Sequence, residues 1–172
     1  LAHHPGDQAV YIQVTRGVAP RDHVMPAGIT PTVFMMVTPM KPPTAEQRHH
    51  GVACVTARDF RWERGDIKSI SLLGNVLARQ ISADRGALET IMFRDGFLTE
   101  AAASNVWIAH EGALLGPPKS EHVLEGIRVE LLRDNGRIPL PPRKVDLPVT
   151  LQSLPADFFK AAAQKVLRLD GK

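Results

Sequence analysis

The sequence predicts an α/β fold in two lobes, on the basis of two features. Extended segments alternate with an amphipathic helical segment in the middle of the chain, and a proline-rich stretch at residues 39–43 separates an early pair of strands from the rest of the chain. With 172 residues, 44% of them hydrophobic, the chain is long enough to bury a core. We therefore expect a first lobe at residues 1–39, a linker at 40–45 and a larger lobe at 46–172.

Two strands are predicted in the first lobe. Val10, Ile12 and Val14 alternate with other residues at a period of two, which is the repeat of side chains along a strand. Residues 32–38 give a second strand. The glycine and prolines between the two strands predict an irregular connection.

The larger lobe is predicted to begin with a capped turn, a strand and then a helix. Thr44 and Gln47 have the spacing of a capping box, so we expect a short helical turn before a strand near residues 52–57. Residues 60–68 are interpreted as extended, and a helix comes after them up to about Asp84. The apolar side chains that share one face of this helix are Leu72, Leu73, Val76, Leu77 and Ile81.

Further along the chain, the pattern predicts two hairpins and a last helix. Asp95-Gly96 is a favoured pair for the tight turn of the first hairpin, and Glu111-Gly112 lies at the centre of the second. The predicted elements are strands at 88–93, 97–100, 106–108 and 113–115 and a helix from Gly126 to Asn135.

Composition and motifs argue against several function classes. The longest apolar stretches are far shorter than the ~20 residues of a membrane span, and a net charge of +3 without a basic cluster does not indicate nucleic-acid binding. We therefore expect neither a membrane nor a nucleic acid as partner. Adjacent histidine pairs do not converge on one metal, so we expect no metal site. The single cysteine, Cys54, excludes a disulfide within the chain and suits a cytoplasmic location.

Three groups of polar residues suit either a site or an ordinary surface. On an extended chain Asp66 and Lys68 share one face, or they form a strand end that emerges into solvent. Glu100 closes a strand before small residues, which fits the close approach of a ligand or an ordinary turn. Arg21 and His23 could point the same way from a loop and hold a carboxylate.

Taken together, these residues and their neighbours give the chain a resemblance to a known family. The segments that carry it are Tyr11–Gly17, Pro20–His23, Asp66–Ser69, Leu72–Ala78, Thr99-Glu100 and Ser104–Val106. In order and spacing, over about residues 9–128, the chain resembles the fold-type IV pyridoxal-phosphate aminotransferases, and among them most of all the D-amino-acid aminotransferases. The resemblance implies the α+β two-lobe fold of class IV aminotransferases, with the end of a small N-terminal lobe and a larger C-terminal pseudo-barrel lobe.

The resemblance also implies a cofactor, pyridoxal 5'-phosphate, and the residues that hold it. Lys68 is then the Schiff-base lysine and proton shuttle, because a primary amine can hold the cofactor aldehyde, exchange it for a substrate amine and move a proton. Glu100 is the partner of the pyridine nitrogen, where a carboxylate keeps that nitrogen protonated. The other implied cofactor-binding positions are Leu124 against the ring, Gly126 and Ile127 at the phosphate-binding turn, and Arg128, Ser104 and Asn105.

The implied substrates are an amino acid and a 2-oxo acid. Arg21 and His23 match the family's trap for the substrate α-carboxylate, which is completed across the interface of a homodimer. The implied reaction is transamination between a D-amino acid such as D-alanine and a 2-oxo acid such as 2-oxoglutarate.

Departures from the family pattern leave more than one function open. Arg128 stands where the family usually has a threonine, and alanines at 101–103 replace small hydroxyl residues. Because the family's N-terminal lobe has no counterpart before Leu1, we expect either part of a longer protein or a truncated, inactive homologue that keeps the fold as a binding module. An aminodeoxychorismate lyase and an R-selective amine transaminase, both of fold type IV, also fit the resemblance.

Overall fold

The computed structural model describes residues 6–110 and 113–127. In this part of the chain two compact units divide between Pro43 and Thr44. Strands pair only within their own unit. No helix among these residues is long and apolar enough to cross a membrane.

The first unit is a two-stranded antiparallel hairpin. Strand β1 (Gln8–Thr15) pairs with β2 (Thr32–Pro39) over the full length of both, which confirms the two predicted strands. Gly17 has a φ of 117°, and a Cβ atom there would lie 2.1 Å from the carbonyl oxygen of Thr30. The connection between the strands therefore needs a glycine at this position.

In its described part, the second unit combines two short sheets with two helices. Its elements in chain order are α1 (Ala45–His50), β3 (Cys54–Arg58), α2 (Leu73–Ala83), β4 (Glu89–Arg94), β5 (Phe97–Ala101), β6 (Ile108–His110) and β7 (Ala113–Leu115). Strand β3 is parallel to β4, and β4 is antiparallel to β5, so α2 is the crossover of a β-α-β unit. Strands β6 and β7 form a separate antiparallel pair.

Local sequence explains how these elements begin and turn. Thr44 accepts a hydrogen bond from the backbone nitrogen of Gln47, whose side chain in turn accepts one from the backbone nitrogen of Thr44, so the predicted capping box is confirmed. Asp95 and Gly96 both have positive φ, 51° and 83°. This is the geometry that an Asp-Gly hairpin turn requires, and the predicted turn is confirmed.

The core of the second unit is small and partly polar. Ala78 on α2 and Met92 on β4 are both 0% exposed and belong to one buried cluster. The hydroxyl of Thr90, also fully buried, donates a 2.6 Å hydrogen bond to the carbonyl oxygen of Ala78 and ties the helix to the sheet.

The prediction of an extended segment at residues 60–68 is wrong. After β3 the chain turns, because the carboxylate of Asp59 accepts a hydrogen bond from the backbone nitrogen of Arg61. A further turn forms where Ile67 donates to the carbonyl oxygen of Arg64. These local bonds take the place of strand pairing, so the segment is a loop.

The helix is found where predicted, but its apolar face does not pack on the sheet. Leu73 is 71% exposed and Val76 60%. The face of α2 that packs inward carries small residues instead, and a Cβ atom on Gly74 would lie 3.0 Å from Cγ of Arg61. The helix approaches too closely for leucine on that side.

Two other predicted elements differ from the structure or extend beyond it. The strand predicted at 106–108 begins at Ile108 and continues to His110. The helix predicted from Gly126 to Asn135 lies outside the described residues except at its first two positions.

Candidate active site

Glu100 lies near the end of β5 with its carboxylate buried. The residue is 6% exposed, and Oε1 pairs with Nη1 of Arg61. Its Oε2 accepts hydrogen bonds from the backbone nitrogen of Leu124 at 3.1 Å and from Nδ2 of Asn105 at 3.3 Å. Donors from three separate segments therefore fix the orientation of this carboxylate.

A second carboxylate, Asp59, lies beside the first. It accepts hydrogen bonds from Nε and Nη2 of Arg61 at 3.0 and 2.8 Å and from the hydroxyl of Thr99 at 2.9 Å. Nη2 of Arg94 lies 3.6 Å from its Oδ1. Asp59, Arg61, Arg94 and Glu100 thus form a cluster of two carboxylates and two guanidiniums, which we call the buried charge cluster.

The two carboxyl groups of the cluster differ in their affinity for a proton. Burial is the largest influence on each and favours the protonated form. For Glu100 burial prevails over the hydrogen bond from Arg61, so its pKa is raised above the ordinary value. For Asp59 the hydrogen bonds from Arg61 and Thr99 together prevail over burial, so its pKa is lowered.

Lys68 lies in the loop that joins β3 to α2. The backbone nitrogen of Asp66 donates to the carbonyl oxygen of Glu121 at 3.1 Å, and a Cβ atom on Gly65 would lie 2.6 Å from the carbonyl oxygen of His122. The loop is therefore docked closely on the segment 120–124 just before it reaches Lys68. The Lys68 side chain is exposed and makes no hydrogen bond or ion pair with any residue of 6–110 or 113–127.

The segment 120–124 also contacts the buried charge cluster. Nη2 of Arg61 donates to the carbonyl oxygen of His122 at 3.1 Å, and Nη1 of Arg94 lies 3.3 Å from Nδ1 of the same histidine. Two residues later, Leu124 donates to Glu100. One segment thus links the loop of Lys68 to the carboxylate of Glu100.

Asn105 contacts both Leu124 and the turn at Gly126 that comes after the segment 120–124. Nδ2 of Asn105 donates to the carbonyl oxygen of Leu124 at 2.8 Å, and a Cβ atom on Gly126 would lie 2.2 Å from Oδ1 of Asn105. A glycine is therefore required if the turn is to approach the asparagine so closely. Leu124 is half-buried and Ile127 is 80% exposed, while Arg128 lies outside the described residues.

Ser104 does not join this group of side chains. Its hydroxyl donates to Oε2 of Glu89 at 3.0 Å, and its carbonyl oxygen accepts from the backbone nitrogen of Ala101 at 2.8 Å. The side chain is committed to an exposed contact with the first residue of β4.

Arg21 and His23 lie in the first unit, and both side chains are exposed. The local structure there is a turn in which Oδ1 of Asp22 accepts a hydrogen bond from the backbone nitrogen of His23 at 2.6 Å. This bond orders the backbone between the two residues.

The structure joins some of the predicted site residues and leaves others apart. Direct contacts connect Glu100, Leu124, Asn105 and Gly126. Lys68 is connected to them only through the docking of its loop.

Sequence reasoning missed the other members of the buried charge cluster. These are Arg61, which pairs with Glu100, and Asp59 and Arg94, with His122 beside them. The one signal in the sequence was the pair of opposite charges two positions apart at Asp59 and Arg61. Nothing in the sequence places either residue beside β5.

The sequence profile of the family described as amino-transferase class IV matches residues 1–152. The chain therefore belongs to the class IV aminotransferases, as the resemblance predicted.

Individual relatives are consistent with this family and with an α/β fold. D-alanine aminotransferase from Bacillus licheniformis is 42% identical over 134 residues, which are 76% of this chain and 47% of the relative. A fold IV transaminase from Curtobacterium pusillum has a TM-score of 0.64 at 22% identity, over 80% of this chain and 47% of its own. A hypothetical aminotransferase from Mycobacterium tuberculosis in a PLP-bound form has a TM-score of 0.61 at 25% identity, over 77% of this chain and 50% of its own. The chain spans about half the length of the curated relatives it matches.

Proposed function

We propose that this protein takes part in pyridoxal-phosphate-dependent transamination between a D-amino acid, such as D-alanine, and a 2-oxo acid, such as 2-oxoglutarate. Membership of the family and the likeness to proteins named D-alanine aminotransferase support this function. The structural observation that supports this function most directly is a set of contacts made by the segment 120–124. The segment 120–124 holds both the loop of the free amine at Lys68 and the buried carboxylate of Glu100.

The residues present fit pyridoxal phosphate in kind. The cofactor would supply an aldehyde that exchanges amino groups and a ring that takes up electrons from the substrate. Lys68 offers an exposed primary amine for the aldehyde, and Glu100 a buried carboxylate for the ring nitrogen. For the phosphate, the resemblance implies the backbone N–H groups of Gly126 and Ile127, which are the kind of donor that binds phosphate groups in proteins.

Lys68 and Glu100 then have different tasks. With the cofactor bound, the amine of Lys68 would be the group that accepts and returns the proton of the substrate α-carbon. The carboxylate of Glu100, fixed by Leu124 and Asn105, would keep a proton on the ring nitrogen of the cofactor. Its raised pKa suits that task, because a more basic carboxylate accepts a stronger hydrogen bond.

The remaining assignments belong to the same proposal. Arg21 and His23 bind the substrate α-carboxylate, and Arg128 completes the cofactor site. For Ser104 to do the same, its hydroxyl has to give up the hydrogen bond to Glu89. The two compact units correspond to the end of a small N-terminal lobe and to the larger cofactor-binding lobe, and the protein works as a cytoplasmic homodimer with the active site at its interface.

Spectroscopy and activity with matched variants test this function. The wild-type protein should acquire a near-ultraviolet or visible absorption band on addition of pyridoxal phosphate and should form pyruvate from D-alanine and 2-oxoglutarate. Lys68→Arg, which keeps the charge but cannot bond to an aldehyde, should lose both. Lys41→Arg makes the same change at an exposed position of the first unit and should lose neither.

Two results would overturn the proposal. One is a wild-type protein whose spectrum does not change with the cofactor. The other is release of pyruvate from aminodeoxychorismate without any 2-oxo acid and without activity on D-alanine, which would identify a lyase.

A further inference from the structure

Arg61 divides its hydrogen bonds unequally between two buried carboxylates. Its Nε and Nη2 atoms both donate to Asp59, and its backbone nitrogen donates to Asp59 as well, at 3.1 Å. Only Nη1 reaches Glu100. Arg61 therefore binds Asp59 in a bidentate manner, which is the strongest way in which a guanidinium binds a carboxylate.

Asp59 is itself held in one place. Its side chain is 0% exposed, and Oδ2 accepts a hydrogen bond from the hydroxyl of Thr99, the residue next to Glu100 in β5. Nη2 of Arg94 adds a second positive charge 3.6 Å from Oδ1. A carboxylate with this many donors stays ionised and does not exchange partners readily.

We propose that Asp59 is a positioning residue for the reaction. It takes the bidentate hydrogen bonds of Arg61, so that the negative charge of Glu100 is only partly neutralised and can bind the protonated ring nitrogen of the cofactor. This inference deepens the proposed function and rests on it. Without Asp59, the charge of Arg61 would be balanced by Glu100 alone. The Glu100 carboxylate would then stabilise the protonated form of the pyridine nitrogen less strongly.

The proton affinities of the two groups agree with this division. Hydrogen bonds from Arg61 lower the pKa of Asp59, whereas the pKa of Glu100 remains raised although the same guanidinium contacts it. The negative charge of Asp59 is also one of the causes that raise the pKa of Glu100.

Every other described group that bonds Glu100 is neutral. These are the side-chain amide of Asn105 and the backbone nitrogen of Leu124. The electrostatic potential at Glu100 therefore depends on the charge of Arg61 and on the negative charge that neutralises it, which is that of Asp59.

Carbon-13 NMR on the cofactor-free full chain tests the proposal. The signal of the Glu100 carboxyl carbon, assigned by its loss in Glu100→Gln, is followed against pH in the wild type and in Asp59→Asn. We expect the pKa of Glu100 to be lower in Asp59→Asn than in the wild type. Asp95→Asn removes one exposed carboxylate from the β4–β5 turn, and because an exposed charge is screened by solvent and salt, it should leave the pKa of Glu100 unchanged.

A second readout uses the cofactor-loaded protein. Asp59→Asn should weaken retention of the proton on the ring nitrogen, seen as a titration of the absorption spectrum at lower pH than in the wild type. Its kcat with D-alanine should fall about tenfold or more while KM changes little, because substrate binding does not involve Asp59. Asp59→Glu, which restores the charge, should recover part of kcat.

A pKa of Glu100 that is unchanged or higher in a folded Asp59→Asn protein would overturn the proposal. If circular dichroism shows that this variant does not fold, the wild type still decides the question. The nitrogen-15 shift of Arg61 Nε should stay constant while Glu100 titrates, since Nε bonds Asp59 alone; a shift that follows the Glu100 titration would contradict the proposal.

These outcomes are separate from those of the proposed function. The carboxyl and guanidinium titrations need no cofactor, so they report on Asp59 whatever the fate of Lys68. If the titrations come out as expected and no cofactor binds to the wild type, the proposed function is wrong. The inference that Asp59 takes most of the hydrogen bonds of Arg61 and so sets the pKa of Glu100 is then still supported.

Discussion

The two compact units differ in what they bury. In the first unit no residue of 6–43 is buried, and Val10 and Val14 on β1 are 61% and 65% exposed. The second unit encloses Met92 and Ala78 completely, and its buried side chains include three charged groups of the buried charge cluster, those of Asp59, Arg61 and Glu100. The geometry around Glu100 is therefore set by packing within the second unit, whereas Arg21 and His23 depend on a local turn.

Substitutions in the two units should therefore act on different properties of the protein. In the second unit a changed residue of the buried charge cluster should alter the free energy of unfolding, because it leaves buried hydrogen-bonding partners unpaired. In the first unit a changed site residue should alter binding and leave stability nearly as it was. Paired substitutions, one in a buried position and one in an exposed position, can test this contrast.

The largest loss of stability is expected from Arg61→Ala. Without the guanidinium, Glu100 loses its charged partner and Asp59 keeps only Arg94 at 3.6 Å, and breaking a buried ion pair costs about 3–5 kcal/mol. Urea unfolding measures this change. The matched control is Arg64→Ala, whose partner Asp66 is exposed, and it should leave the transition where it is. Equal midpoints for the two variants would show that the cluster contributes nothing.

A matched pair of methionine substitutions compares the two units directly. Met92→Ala should lower the free energy of unfolding by about 2–5 kcal/mol, because it leaves a cavity where the side chain is 0% exposed. Met35→Ala, at a position 64% exposed in β2, should cost far less. Thermal or urea unfolding of both variants tests the comparison, and a similar cost for the two would contradict it.

Arg21→Ala should affect substrate and leave stability unchanged. If Arg21 binds the substrate carboxylate with two hydrogen bonds, as proposed, its removal should raise KM for D-alanine by roughly tenfold to a hundredfold. Affinity for pyridoxal phosphate, measured by spectral titration, should change little. Arg16→Ala, also in the first unit, is the control and should change neither quantity. Equal losses of substrate and cofactor affinity would rule out this role for Arg21.

Gly126→Ala tests the close approach to Asn105. The new methyl group would lie 2.2 Å from Oδ1 of Asn105, so the turn must move, at a cost of about 1–3 kcal/mol of overpacking. Affinity for pyridoxal phosphate should fall with it. In the Asn105→Ala background the same substitution should cost less, because the obstructing oxygen is gone. Additive effects of the two substitutions would show that this contact does not limit the turn.

The smallest expected effect is a dependence of stability on pH. The pKa of Glu100 is raised in the folded protein, so its contribution is fully present below the ordinary value of 4.5 and is lost as pH rises through the folded pKa. Asp59, whose pKa is lowered, contributes above its ordinary value of 3.8, and that contribution is lost as pH falls through the folded pKa.

Unfolding curves at several pH values check the sign. From pH 4.5 upward the wild type should lose stability relative to Glu100→Gln until Glu100 has titrated in the folded state. A difference between the two proteins that is constant across that window, or that moves the other way, would contradict the raised pKa.

Much of the fold could be predicted from local sequence. The period of two at Val10, Ile12 and Val14, the capping box at Thr44 and the Asp-Gly turn at Asp95 each act over a few residues, so the pattern itself contains the structural information. The loop at 60–68 was missed because a side-chain bond to Asp59 replaces strand pairing there.

The site could be predicted only in part. Glu100 and Lys68 were predicted as site residues through the resemblance to a family, whereas Arg61 and Arg94 were not. Their importance comes from long-range contacts, since Arg61 and Glu100 are 39 residues apart in the chain. Which face of α2 packs inward was likewise settled by the close approach of Gly74 to Arg61, which hydrophobicity does not encode.

Location of the covalent attachment tests the proposed function most directly. The protein is incubated with pyridoxal phosphate, reduced with borohydride, digested and analysed by mass spectrometry. We predict that the reduced pyridoxyl group is on Lys68 and that Lys68→Arg carries none. A label on a different lysine of the wild type, or no label under conditions that reduce the free cofactor, would contradict the assignment of Lys68.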